Sequence, residues 1–139
     1  MNDANPISPP DFLRQLTQLR AALLALHKAL VDSERVSYEQ NLATIPSANH
    51  FLQLLTNDPW FAWLHPFSQL IVAMDEALDA KAKTPLTGDA AAALVKRTSE
   101  LLVASETGEG FARHYFDALQ RDPDVVMAHA AAQIFRARR

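Results

Sequence analysis

The sequence predicts an all-α fold, an antiparallel helical bundle of about four longer helices joined by short connecting helices. Alanine and leucine, which favour helix, are abundant, and the chain contains only 3 glycines. Apolar residues recur at helical spacing, and no segment shows the alternating pattern of a strand. The 139 residues are 49% hydrophobic, which is enough for a core. We therefore expect a single domain over 1–139, with a flexible N-terminus at 1–8.

The first helix is the most clearly marked element. Ser8 can cap it, Pro9 suits its first turn, and Asp11 completes a pattern similar to a capping box. We expect the helix to continue to about residue 42. A heptad stripe of large apolar residues runs along it, namely Phe12, Leu16, Leu19, Leu23, Leu26 and Leu30. This stripe is expected to be buried within the protomer, and self-association is the second interpretation.

Prolines and capping residues divide the middle of the chain. Ser47 is expected to cap a second helix, and Asp58 a short helix from Trp60 to Leu64. The dipeptide His65-Pro66 is expected to interrupt this short helix, which leaves the histidine outside regular helix. A longer helix should follow, with an apolar face of Phe67, Leu70, Ile71, Met74 and Leu78.

Three more helices are predicted in the second half of the chain. After a loop over Lys83–Asp89, a helix should run from about residue 89 to 105. Gly108-Glu109-Gly110 separates it from a helix that bears Phe111 and Tyr115. Arg121-Asp122-Pro123 has the cap and first-turn residues of a last helix. That helix carries the apolar residues Val126, Ala130 and Ile134.

Charge and composition limit the classes of function. The net charge of −3, from 13 basic and 16 acidic residues, does not favour nucleic-acid binding. Arg136, Arg138 and Arg139 cluster at the end, where they complement the dipole of a last helix. The absence of cysteine excludes disulfides and thiolate metal sites. We find no signal sequence, and the uncharged stretch 59–74 is too short to span a bilayer, so we expect a cytoplasmic protein without a membrane partner.

Residues that could carry chemistry do not form a recognisable motif. None of the five histidines has the His-x-x-x-His or Glu-x-x-His spacing of helical metal sites. Asp75 and Glu76 are adjacent and point about 100° apart on a helix, so one is expected to flank the core and the other to face water. No serine lies in a nucleophile-elbow pattern. We therefore predict no catalytic residue, no metal and no cofactor, and an enzyme is the third choice among function classes.

Aromatic residues are concentrated in one segment. Five of them, including both tryptophans, fall between residues 51 and 67. Large rings commonly form the core of small helical proteins, but they also dominate binding hot spots. Trp60 and Trp63 lie three residues apart, and His65 follows them. We take Trp60, Trp63 and His65 as candidate partner- or ligand-binding residues, with burial of all the rings as the alternative.

This segment also carries a resemblance. The pattern FLxLLxxDPxFxWLxPxSxLI, which is present from Phe51 to Ile71, resembles the central signature of an uncharacterised family of small bacterial all-helical proteins. Arginine is the commoner residue in that family at the place of His65. The resemblance extends from the first helix to about residue 79. It implies a bacterial protein and no particular activity.

Two functions fit these observations. The first is a non-enzymatic helical protein that acts through protein–protein contacts with a partner or with itself, as the heptad stripe and the aromatic cluster indicate. The alternative is a small-molecule or cofactor binder with a pocket between helices, where bundles usually place such sites.

Overall fold

The protein is described by a computed structural model over residues 11–82 and 84–137, with side chains described as far as residue 133. The described part is all-α, as predicted. Its elements are α1 (Asp11–Asn41), α2 (Ala48–Asn57), a 3₁₀ helix (Pro59–Leu64), α3 (His65–Leu78), α4 (Gly88–Leu101), α5 (Gly110–Arg121) and α6 (Pro123–Ala137). The predicted cap at Ser8 and Pro9, the N-terminus at 1–8 and the arginine side chains at the end lie outside the described residues.

The leucine stripe of α1 forms the centre of the core. Leu16, Leu19, Leu23, Leu26 and Leu30 are all at most 1% exposed, and Phe12 is half-buried at the start of the helix. The helices α3, α4, α5 and α6 and the 3₁₀ helix pack around α1. The expectation that the stripe is buried within the protomer is confirmed, so these leucines are not available as a dimer seam.

Side chains cap the helices where the sequence predicts. The backbone N–H of His50 donates to Ser47 Oγ at 3.0 Å, which caps α2. The N–H of Trp60 donates to Asp58 Oδ1 at 2.8 Å at the start of the 3₁₀ helix. Each cap satisfies a donor that the helix itself leaves unpaired.

The expected interruption at His65-Pro66 is wrong. The short helix is a 3₁₀ helix, and it passes directly into α3, of which His65 is the first residue. Pro66 lies in the first turn of α3, where a missing N–H costs no hydrogen bond, so the proline starts the helix and does not break it. The backbone of His65 therefore belongs to regular helix.

The helix α4 is shorter than predicted. It ends at Leu101, several residues before 105, and the N–H of Val103 donates to the carbonyl oxygen of Leu101 at 2.8 Å in a tight turn. The turn places Leu102 in the core, where it is 2% exposed. The next helix begins at Gly110, whose φ of +59° favours glycine because other residues meet steric strain there.

The sequence pattern of α6 did not identify its buried valine, and the prediction that one of Asp75 and Glu76 flanks the core is wrong. On α6, Val125 is fully buried, while Val126 is 44% exposed. The two valines are adjacent, so the register of α6 against α1 decides which of them enters the core. On α3, Asp75 and Glu76 are both exposed, and Asp75 forms an ion pair with Arg20 of α1.

A partly buried polar cluster joins the end of α5 to α1. Arg121 Nη2 donates to Glu34 Oε2 at 2.6 Å, and Arg121 Nε donates to Ser33 Oγ at 3.0 Å. Glu34 and Ser33 are almost completely buried, at 5% and 3% exposed. Because a buried carboxylate is costly without a partner, the pair favours one register between α5 and α1.

No helix in the described part of the chain is sufficiently long and apolar to cross a membrane.

We predict that Leu23→Ala destabilises the protein by about 2–5 kcal/mol, because it opens a cavity in the core. The neighbouring Leu24 is 39% exposed, so Leu24→Ala is a matched control that we expect to change stability by less than about 0.5 kcal/mol. Urea unfolding followed by circular dichroism measures both. If Leu23→Ala leaves stability unchanged and dissociates an oligomer, the stripe is an interface between protomers.

Candidate functional site

A cavity of about 430 Å³ lies between α1, α2, the 3₁₀ helix and the start of α3. We call it the histidine pocket. It is lined by His27, Val31, Leu55, Thr56, Phe61, Leu64, His65 and Ser68. Half of these residues are apolar, and the other half carry an imidazole or a hydroxyl group. Cavities of about 300–1,000 Å³ with apolar walls and a few convergent polar groups are typical of small-molecule sites.

His27 and Ser68 form the polar centre of the pocket. The Nε2 atom of His27 lies 2.8 Å from Ser68 Oγ, which is hydrogen-bond distance. The imidazole ring packs edge-on against Phe67, with 5.3 Å between ring centroids and an angle of 71°. Ser68 Oγ also lies 3.4 Å from the carbonyl oxygen of Leu64, a long and weak contact. The ring of His27 is thus held by one hydrogen bond and one aromatic contact.

His65 lies on the other side of the pocket, where it connects α3 to α2. Its Nε2–H donates to the carbonyl oxygen of Leu55 at 3.1 Å. His65 and Ser68 are three residues apart on α3 and therefore share a face. Thr56 is exposed and marks the rim. The pocket is thus closed on the α2 side by a helix that His65 helps to hold.

The electrostatics of the pocket are set by His27. Burial lowers the pKa of His27 below its ordinary value of 6.5, because the low-polarity surroundings disfavour the charged imidazolium. None of the eight lining residues is acidic, lysine or arginine. Burial therefore favours the neutral imidazole of His27, which lies among hydrogen-bonding groups from α1, α2 and α3.

The three residues predicted as a site are separated in the structure. His65 lines the histidine pocket. Trp60 is half-buried on another side, with its ring edge-on to Tyr38 at 5.7 Å. Trp63 is 8% exposed and stacks on His114 of α5, with 5.2 Å between ring centroids. The prediction that these three residues bind a partner or ligand stays a prediction, and the geometry supports it best for His65.

Both indole nitrogens, Trp60 Nε1 and Trp63 Nε1, are buried and have no hydrogen-bond partner among the described residues. An unmade hydrogen bond of a buried donor typically costs about 1–3 kcal/mol, so packing of the rings has to outweigh that loss. The ring of Trp63 packs against Phe111 and His114 of α5, which favours a mainly structural role for this residue.

Other cavities lie elsewhere in the described part of the molecule. One of about 470 Å³ lies between α1 and α4, and its lining combines apolar residues with polar and charged ones, namely Phe12, Gln15, Gly88, Ala91, Ala92, Val95, Lys96 and Ser99. Another, of about 260 Å³, contains Glu34 and Arg121, whose charges already neutralise each other. The histidine pocket is smaller than the first, but its polar groups include a partly buried imidazole, that of His27, whose pKa is lowered by burial. A perturbed titratable group in a cleft is a useful indicator of function.

Sequence reasoning missed His27 and Ser68. They are 41 residues apart, and no short motif joins them. One signal was present in the sequence. His27 directly follows Leu26 of the buried stripe, so a polar ring had to lie at the edge of the core, where it would need a partner.

Within the described residues no group of three or more His, Asp or Glu side chains could hold a metal ion. Comparisons of the chain with known protein families, with curated proteins and with solved structures find no match. The candidate function therefore rests on the geometry of the pocket.

We predict that the two tryptophans differ in accessibility. In Trp60→Phe the remaining Trp63 should emit at short wavelength and be quenched weakly by acrylamide, because its ring is buried under α5. In Trp63→Phe the remaining, half-buried Trp60 should be quenched more strongly. Strong quenching of Trp63 would contradict the packing described. If acrylamide reaches neither ring, the interpretation of this segment as a binding surface fails.

We also predict that His27 makes the protein less stable as the pH falls. Its pKa is lower in the folded state, so the unfolded chain binds more protons below an ordinary value of 6.5. Its contribution is therefore fully present above that value and is lost as the pH falls toward the lower, folded-state pKa. Urea unfolding of the wild type and of His27→Gln between pH about 7.5 and about 5 measures the effect. The variant should lose less stability over this range. His50→Gln, at an exposed position, controls for the removal of one imidazole, and a parallel pH dependence of wild type and His27→Gln would contradict the assignment.

Proposed function

We propose that the protein is a non-enzymatic binder of a small, mainly apolar molecule with one polar end, held in the histidine pocket. The observation that supports this most directly is the His27–Ser68 hydrogen bond of 2.8 Å at the wall of a 430 Å³ cavity, half of whose lining residues are apolar. The ligand's apolar body would pack against Val31, Leu55 and Phe61, and its polar end would exchange hydrogen bonds with the histidine and serine.

One feature reduces the support for hydrolytic chemistry. An activated serine needs a base within hydrogen-bond reach and, in the usual arrangement, a third group that orients that base. His27 could act as the base for Ser68. However, no carboxylate lines the pocket to orient the imidazole. Binding alone is the simpler function for this set of residues.

The other interpretation of the sequence, action through protein–protein contacts, loses two of its supports. The leucines of the heptad stripe are buried within the protomer, and Trp63 packs against α5. A partner surface elsewhere on the molecule would have to be built from the scattered exposed side chains, such as Leu52 and Met127. We therefore prefer the ligand-binding proposal, for a bacterial, cytoplasmic protein as the sequence suggests.

Ligand binding can be tested with a panel of six compounds: hexanoate, hexanamide, 1-hexanol, benzoate, benzamide and benzyl alcohol. We predict that at least one of them shifts the backbone NMR signals of Leu55 and Thr56 in a saturable way. Val31→Phe fills the pocket and should abolish these shifts, because Val31 forms part of its wall. Val36→Phe is the matched control, since Val36 is on the same helix and is 52% exposed.

The proposal fails if no compound of the panel shifts the pocket signals, or if Val31→Phe binds as well as the wild type. Shifts confined to Ala92 and Val95 would move the site to the cavity between α1 and α4.

A further inference from the structure

The polar groups of the histidine pocket share one property. All four polar side chains that line it, those of His27, Thr56, His65 and Ser68, can donate hydrogen bonds, and none carries a negative charge. Thr56 Oγ1 already donates to the carbonyl oxygen of Leu52 at 2.9 Å, and His65 Nε2–H donates to that of Leu55 at 3.1 Å. A ligand with an anionic end would therefore meet the donors of His27 and Ser68 and no like charge. A cationic ligand would find no carboxylate among these residues.

The chemical class of a bound anion is limited by which pocket groups can carry a positive charge, and only histidines can do so. Phosphate and sulfate esters are generally bound by arginine or lysine, and neither lines the pocket. A single carboxylate requires less positive charge, and one imidazolium supplies it. The apolar half of the wall, which includes Val31, Leu55 and Phe61, suits an aliphatic or aromatic body.

We propose that the physiological ligand is an apolar monocarboxylate, and that its binding brings one proton from solvent onto His27. The carboxylate accepts hydrogen bonds from the protonated imidazole of His27 and from the hydroxyl of Ser68. Ser68 gives up its long contact of 3.4 Å to the carbonyl oxygen of Leu64. This inference rests on the proposed function, because it names the chemical class of the ligand for the same pocket.

The proton balance follows from the surroundings of His27. Burial favours the neutral ring in the free protein, and a carboxylate beside the ring reverses that preference. The other titratable group of the pocket is His65 on α3, while the pocket residues of α2 and the 3₁₀ helix are Leu55, Thr56, Phe61 and Leu64. On α1 itself, the charges of Lys28 and Asp32 satisfy each other at 2.7 Å in an exposed pair.

The nearest ion pair between α1 and α3 joins Arg20 and Asp75. It lies two helical turns from His27 on one helix and two from Ser68 on the other, about 10 Å along each axis. Its charges offset one another, so they leave the proton affinity of His27 to burial and to the ligand.

The test compares hexanoate with hexanamide and 1-hexanol by isothermal titration calorimetry at pH about 7.5. Hexanoate should bind about tenfold more tightly than the neutral compounds, because a charge-assisted hydrogen bond replaces a neutral one. Its apparent enthalpy should differ between phosphate and Tris buffers, since the buffer supplies the proton. The imidazole signals of His27, followed by NMR, should show a raised pKa when hexanoate is saturating.

The His27→Gln variant tests whether the preference for a carboxylate depends on protonation of His27. Glutamine can keep a hydrogen bond to Ser68 but cannot take up a proton, so both the preference for hexanoate and the buffer dependence should disappear. His50→Gln, on the exposed start of α2, should retain both. The NMR titration of wild-type His27 keeps the test decisive if the glutamine variant does not fold.

The outcomes are distinguishable. Equal binding of hexanoate, hexanamide and hexanol at the pocket overturns the carboxylate inference and leaves the proposed function in place. Absence of binding by all six compounds overturns both. Tighter binding of hexanoate with proton uptake that survives His27→Gln and disappears in His65→Gln overturns the assignment of the proton to His27.

Discussion

The buried leucine stripe of α1 is the constraint on which the rest of the structure depends. Five leucines that are almost inaccessible to solvent run along a helix of 31 residues, and the helices α3 to α6 bury their own apolar faces against it. A short helix alone cannot remain stable in water, so each of these helices gains its stability from that contact. The positions of the functional groups on α3 to α6 are therefore set by the register of each helix on α1.

Polar contacts along the edges of the stripe fix that register. Apolar packing is non-directional, and α6 shows the consequence, because Val125 and Val126 are equally suitable for a core. The bonds from Arg121 to Glu34 and Ser33, and the one between His27 and Ser68, join particular atoms on particular helices. One of these contacts holds α5 against α1, and the other holds α3 against α1 beside a cavity. The second contact therefore serves both the fold and the candidate site.

Much of the fold could be predicted from local patterns. The caps at Ser47 and Asp58 and the stripe on α1 need only residues a few positions apart, and all of them are confirmed. The predictions failed where the packing or position of neighbouring elements decides the local structure. Pro66 lies at the start of a helix because the 3₁₀ helix leads directly into α3. The pocket could not be predicted, because the contact of His27 with Ser68 exists only once α1 and α3 are packed together. His65, a candidate from the sequence, lines the pocket, but its partner, the carbonyl oxygen of Leu55, is a backbone atom that no motif reveals.

The wall that α2 provides has a consequence for how a molecule could enter. No residue of α2 is fully buried, and the helix packs mainly against the 3₁₀ helix. Segments with few buried apolar contacts open at a much smaller free-energy cost than the whole fold. Transient detachment of α2 would break the bond from His65 to Leu55 and widen the cavity while the leucines of α1 stay packed. A molecule that entered past α2 would thus leave the packing of the leucines on α1 undisturbed.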